Sequence, residues 1–468
     1  MSEFLFKEFD GVSAKQWKQK IQYDLKGADY NETLVWQSPE GVNVKPFYHS
    51  DDFPTGFQKI PGQPDSWKIA QEVFIDDEAI ANNIALDALN RGAESIVFKA
   101  DAEFDTEKVL KDFPFERSPI YFEFGFLSEG FLGSLMTFLQ NQKATVYYNI
   151  DIIGKLARTG NWFLNEKTDF QILTDLVQKQ TTANILGVDV SLYQNAGANI
   201  VQQLAYALAH ANEYFNLVSS TPLGDRDRSN SGAEGDLKIA FKLSVGSNYF
   251  FEIAKIRALR KLYSIVAKEY GFSQTCHIIA VPSERNKTLY DYNVNMLRTT
   301  TECMSAILGG ADAVCNLAYD GIYHKSNEFG ERIARNQLLI LKNESYFDKV
   351  SNPSDGTYYI ESLTDELATK ALVVFKDIEK GGGFMKQLKE GIVQKKIKES
   401  AEKEQTLFNN GGLKLLGTNY HQNKRDRMKE NLELFPFVKH NPVKTLIAPI
   451  IANRLSEITE QERLKQES

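Results

Sequence analysis

Ser191, Tyr193 and Gln194 stand in "GVDVSLYQNAGANIVQQLAYALAHANEYF", residues 187–215, where an alternating extended run passes through a polar turn into a long amphipathic helix. A hydroxyl, a phenol and an amide at such a strand-to-helix junction are placed to bind substrate or move a proton in a barrel or a doubly wound sheet. Leu192, between them, brings no polar atom to that edge. The spacing predicts a strand over Gly187–Ser191, so the junction is either a working active-site edge or the remains of one.

Other residues offer less. In "ERIARNQLLILKNES", Arg332 and Arg335 lie three apart near a helix start. They would clamp a carboxylate or phosphate, or form a salt bridge to a neighbouring helix or subunit. The six histidines are His49, His210, His277, His324, His421 and His440, and no two have the i, i+4 spacing of a two-histidine metal face. His210 is expected to face solvent from the long helix, and His277 to be a satisfied core histidine inside a strand. The glycines at 381–383 follow a helix and read as a cap and turn, while "GGADAV" precedes a strand, the wrong order for a phosphate loop. Cys276, Cys303 and Cys315 are an odd number without CxxC spacing, which fits a reducing compartment better than a disulfide framework or a structural zinc.

The elements that must position these residues alternate. Candidate strands are Ser95–Ala100, Ile120–Phe124, Ala144–Ile150, Gly187–Ser191, Ile239–Val245, Thr275–Val281 and Asp312–Leu317, most followed by a helix-period segment. Seven can be counted and an eighth cannot be placed, yet a (β/α)8 barrel accounts best for so long an alternation. In "YYIESLTDELATKALVVFKDIEKGGG", Ser362 and Asp365 have capping-box spacing and Leu367, Ala371 and Phe375 share one face. In "NYFFEIAKIRALRKLYSIVAKEYGF", Phe251, Ala258, Leu262 and Val266 form the buried side, with Lys255, Arg257, Arg260 and Lys261 expected elsewhere. Residues 1–45 read as an N-terminal arm, 46–400 as the barrel and 401–468 as a helical, charged C-terminal extension.

Bulk properties narrow the classes. The 468 residues, 42% hydrophobic and 25% charged, describe an ordinary soluble globular chain. A net charge of −8 counts against a general nucleic-acid binder. No run has signal-peptide or membrane-spanning character, so a cytoplasmic protein without a membrane partner is expected.

Several stretches together resemble the methylmalonyl-CoA mutase family of cobalamin-dependent acyl-CoA mutases. They are "NVNMLRTTTECMSAILGGADAVCNLAYD", "ERIARNQLLILKNES", "YYIESLTDELATKALVVFKDIEKGGG", "NYFFEIAKIRALRKLY", "AGANIVQQLAYALAHANEY" and "LVWQSPEGVNVKPFY". The resemblance runs from about residue 15 to 455. It implies a barrel whose axis admits the acyl-CoA chain, with cobalamin held across the mouth by a separate domain. That domain carries a histidine in an Asp-x-His-x-x-Gly motif, and no histidine here has an aspartate two residues before it.

Three barrel-mouth segments depart from the family pattern. Where the family has Ser-Gly-Tyr-His-Met-Gln-Glu-Ala-Gly, alignment on Ala196-Gly197 puts Leu192 at the histidine and Ser191 at the tyrosine, and leucine cannot polarise a thioester carbonyl. "SWKIAQEVF" keeps Trp67, Ile69 and Gln71 of Pro-Trp-Thr-Ile-Arg-Gln-Tyr-Ala-Gly-Phe, but has Ala70 for the arginine and Glu72 for the tyrosine. "HIIAVPSERNKTLYD" has Ile279 and Val281 where the family's substrate-holding His and Gln stand. The resemblance therefore implies no catalytic residue and no cofactor in this chain. It implies a small (beta) subunit in a heterodimer with a large (alpha) mutase subunit, which would carry adenosylcobalamin and interconvert (R)-methylmalonyl-CoA and succinyl-CoA. Two rivals stay open. One is an active barrel borrowing a separate cobalamin chain, with Glu72, Tyr193, Gln194 and Glu284 as its polar candidates. The other is an assembly scaffold for the mutase.

Overall fold

The computed structural model describes residue 8 and residues 10–179, 184–220, 238–439 and 443–467. The expectations made for residues 1–7 of the arm and for His440 lie outside the described residues. Eight parallel strands close in chain order into a barrel: β1 Lys68–Phe74, β2 Ser95–Ala100, β3 Ile120–Phe124, β4 Val146–Ile150, β5 Asn184–Asp189, β6 Ala240–Val245, β7 His277–Pro282 and β8 Ala313–Cys315. β8 returns to β1 through Ala313–Lys68, Val314–Ile69 and Cys315–Ala70 pairs. The (β/α)8 fold is as expected.

The eighth strand is β1, within "SWKIAQEVF" and upstream of where the alternation first becomes obvious. Lys68, Gln71 and Glu72 disguise it, because the apolar run typical of a parallel strand is interrupted by polar side chains. The expected strand over Gly187–Ser191 is displaced: β5 ends at Asp189, and Ser191–Asn195 is a short helix.

Helices pack outside the strands, and the main core lies between the two layers. The Tyr249–Glu269 helix corrects a simple amphipathic picture. Its apolar face is buried as expected, but Lys255, Arg257 and Arg260 are buried too. Each has an anionic partner: Lys255 meets Glu252 at 2.5 Å, Arg257 meets Glu361 at 2.6 Å as well as Asp355, and Arg260 meets Asp312 at 2.6 Å. The Tyr358–Lys380 helix begins four residues before Ser362, so the capping-box spacing at Ser362 and Asp365 marks no helix start.

The arm helix Ala14–Asp24 is closed at its N-terminus by a Ser13–Gln16 capping box, and none of its residues is buried. Trp17 stacks on Phe47 at 4.5 Å, and Trp36 meets Phe251 edge-on at 5.8 Å. At the other end the Ile392–Asn409 helix runs across residue 400. The chain then lays residues 443–455 over the barrel: Ile450 N–H donates to Ala157 O at 2.8 Å, Asn453 N–H to Asn195 O at 3.0 Å and Leu455 N–H to Arg285 O at 2.9 Å. What reads in sequence as a charged extension is a cover on the C-terminal mouth. No described helix is long and apolar enough to cross a membrane.

Candidate functional site at the barrel mouth

The junction after β5 is folded tightly. A Cβ on Gly187 would stand 2.7 Å from the Asn149 Cα, so only glycine lets β4 and β5 approach this closely. Gly197 has φ +97°, and a Cβ there would lie 2.5 Å from the Ala401 Cβ, which explains the Ala196-Gly197 pair as framework. Between these glycines Ser191, Leu192, Tyr193 and Gln194 are all buried.

Each polar group of the junction is already engaged. Ser191 Oγ donates to Asp189. The Tyr193 hydroxyl pairs with His210 Nδ1 at 2.9 Å. Gln194 donates to Glu252 at 3.3 Å and accepts from Lys255 at 2.9 Å. His210, expected to face solvent, is fully buried: Phe384 stacks on it, and its Nε2 lies 2.9 Å from Asp151 Oδ1 in a close polar contact without good hydrogen-bond alignment. Asp151 also accepts from Tyr214 at 2.7 Å and from the Gly154 and Asp189 amides at 2.7 and 2.9 Å. The polar side chains of the junction thus anchor it to the long helix and to the N-terminus of the Ile152–Thr159 helix.

Across the C-terminal end of the strands runs a chain of charges that the sequence reading missed. Lys99 meets Glu72 at 2.6 Å and Glu123 at 3.6 Å, Glu123 meets Lys242 at 2.6 Å, and Asp189 pairs with Arg158. Burial works against ionisation of Asp189, but Arg158 and Lys242 outweigh it and hold the carboxyl down at about 2. Burial likewise opposes the charge on Lys99, Glu123 and Lys242, yet opposite neighbours favour the charged form of each. The available signal was period-two placement of charge in strands otherwise apolar.

Below this layer the barrel axis is filled. Tyr121 and Tyr147 stack at 4.9 Å, Tyr147 and His277 at 3.8 Å, and the Tyr121 hydroxyl meets His277 Nε2 at 2.9 Å. Ala70, Val97, Ile279, Ala313 and Cys315 complete the plug, with Val281 packed on it. His277 is the satisfied interior histidine that was expected, and burial lowers its pKa to about 4 despite Asp312. Ile279 and Val281 are packing residues, Glu72 is an ion-pair partner, and Glu284 is exposed at the mouth with its amide bonded to Asn195. Arg332 and Arg335 form no clamp: Arg335 is buried and donates to Gln71, while Arg332 lies over Phe329.

Two spaces remain. A cavity of about 270 Å³ lies beside β3–β6, lined by Glu123, Lys155, Arg158, Asp189 and Lys242 together with Phe124, Phe126, Leu127 and Phe163. A groove of about 760 Å³ runs beneath residues 435–439 and 443–454, with Leu192 and Glu284 in its floor and Phe435, Ile450 and Ile451 in its cover. Arg158 and Thr159 border both.

A closed parallel barrel with its loops gathered at the C-terminal mouth defines a (β/α)8 barrel protein. Residues 105–456 match the methylmalonyl-CoA mutase family model, and the chain belongs to that family. It is 33% identical to the methylmalonyl-CoA mutase small subunit of Porphyromonas gingivalis, over 90% of this chain and 71% of that one. It is 28% identical to the methylmalonyl-CoA mutase small subunit of Streptomyces virginiae, over 83% of this chain and 67% of that one. Similarity to the methylmalonyl-CoA mutase of Rhizobium meliloti is 26%, over 90% of this chain and 65% of that one.

Proposed function

We propose that this chain is the non-catalytic small subunit of a heterodimeric methylmalonyl-CoA mutase, acting in the cytoplasm. The large subunit would bind adenosylcobalamin and interconvert (R)-methylmalonyl-CoA and succinyl-CoA. The observation that carries this reading is the filled axis. The Tyr121–Tyr147–His277 stack and the charge chain above it occupy the path an acyl-CoA tail would take. The cavity of about 270 Å³ beside β3–β6 is below the ordinary range for a drug-sized ligand, and a coenzyme A thioester is larger still. The groove of about 760 Å³ is lined by no barrel-strand residue and so offers no passage along the axis. At the mouth Leu192 offers no hydrogen bond to a carbonyl.

Three of the described histidines are already committed to other contacts, which counts against their holding cobalt. His210 and His277 are buried in aromatic and polar contacts, and His324 is held between Asp320 and Asn431. Residues 443–455 cover the C-terminal mouth, the face across which the resemblance would have cobalamin bind. The arm supports a partner: its helix buries none of its own residues, and Trp17, Tyr23 and Trp36 are exposed.

Purified alone, the chain should neither bind adenosylcobalamin nor convert methylmalonyl-CoA. Co-expressed with a cobalamin-binding mutase chain, it should purify with it as a stable 1:1 complex. Turnover by the isolated chain, alone or supplied with a free cobalamin domain, would overturn the proposal, and failure to stay bound would favour a transient scaffold.

A further inference from the structure

The cavity beside β3–β6 contains an amine that the subunit role does not use and that the fold holds only weakly. Lys155 lies on the Ile152–Thr159 helix, whose N-terminus is fixed by Asp151. Its neighbours in the cavity wall are paired: Arg158 with Asp189, and Lys242 with Glu123. Lys155 forms no ion pair among the described residues. Its ammonium donates one long hydrogen bond, 3.4 Å, to Gly125 O and sits 4.9 Å from the Phe163 ring centroid. Asp101 and Asp169 act on it electrostatically without pairing with it, and Asp169 is committed to the Phe163 and Leu164 amides at 2.8 and 3.0 Å.

We infer that Lys155 is a reactive amine that condenses with small, uncharged aldehydes or ketones entering this cavity. The Lys155 nitrogen attacks the carbonyl carbon and the carbonyl oxygen takes up the proton, giving a carbinolamine. Loss of one water then leaves a C=N bond, with no net oxidation or reduction. The lining sets the class of ligand. Phe124, Phe126, Leu127 and Phe163 offer an apolar wall for a short carbon chain, and the volume of about 270 Å³ limits its size. Arg158 and Lys242 are taken up by Asp189 and Glu123, and Asp101 and Asp151 in the same wall leave an excess of negative charge that disfavours an anion such as a 2-oxo acid.

Two effects prepare the amine. Burial and then the Arg158 charge both lower its pKa, so more free base is present at neutral pH than on a surface lysine. An amine beside a second cation in a partly apolar pocket is a recurrent arrangement for carbonyl condensation. The inference stands apart from the subunit proposal, because it involves neither the mutase partner nor cobalamin.

The test is reductive trapping on the full chain. Butanal or pyruvate is added with cyanoborohydride at pH 7, and adducts are located by peptide mass spectrometry. Butanal should label Lys155 several-fold faster than the exposed Lys143 and Lys398, and pyruvate should label it more slowly than butanal. The Lys155 adduct rate should reach its plateau at lower pH than the rates at those surface lysines. Lys155→Arg should remove the fast adduct, and Arg158→Gln should slow it by withdrawing the neighbouring charge. Labelling of Lys155 no faster than the surface set, with an unshifted pH profile, would overturn the inference. So would a fast adduct at Lys242 that survives Lys155→Arg.

Discussion

At the scale of single residues, side chains with catalytic potential are used here to hold structure. His277 is the clearest case. The unfolded chain takes up a proton there near pH 6.5, whereas the folded chain resists it until about 4. Stability contributed by the neutral ring is therefore complete above pH 6.5 and is lost as pH falls toward 4, a loss on the order of 3 kcal/mol. Denaturant midpoints should fall across that window, and His277→Gln should flatten the slope. A ring that titrates near 6.5 by NMR would contradict this. Leu192 supplies a second test. Restoring the family's histidine by Leu192→His should give no methylmalonyl-CoA turnover in the isolated chain, because the axis below stays filled by Tyr121 and Tyr147. The junction pattern was legible in sequence, as was the apolar residue inside it. The partners of Gln194 and His210 were not, since Glu252 and Lys255 lie 58 and 61 positions from Gln194 and Asp151 lies 59 from His210.

At the scale of elements, periodicity found most strands and failed where polar residues point inward. β1 was hidden because Gln71 faces outward to Arg335 on the Glu328–Asn343 helix while Glu72 faces inward to Lys99 on the neighbouring strand, an arrangement no local pattern can announce. The Tyr249–Glu269 helix was misjudged for a related reason. A helix wedged between neighbours on all sides buries its basic residues once each has an acid partner. Arg257→Ala should therefore cost about 3–5 kcal/mol in chemical denaturation, since Asp355 and Glu361 would lose their counter-ion. Arg257→Lys, which keeps charge without the fork, should recover only part of it. Exposed Arg332, which lies over the Phe329 ring, should tolerate alanine within about 0.5 kcal/mol.

At the scale of the whole molecule, the C-terminal segment is part of the barrel and not an appendage. Ile450 and Leu455 are buried, and Arg454 is held between Glu460 at 2.6 Å and the Lys287 carbonyl at 3.0 Å. Deleting residues 443–468 should cost on the order of 4 kcal/mol from the two apolar side chains alone. It should lower the thermal midpoint and raise the binding of a hydrophobic dye as Leu192 and its surroundings become exposed. An unchanged midpoint would mean that the cover carries no stability. The sequence by itself determined the barrel class, the family and the apolar residue at a decisive junction, because repeating strand–helix patterns and ordered motifs are local signals. Only the tertiary structure decided that the axis is filled, that the mouth charges neutralise one another and that the chain's end closes over them. Those facts depend on side chains from strands far apart in sequence meeting at one centre, and their burial and pairing exist only once the barrel has closed.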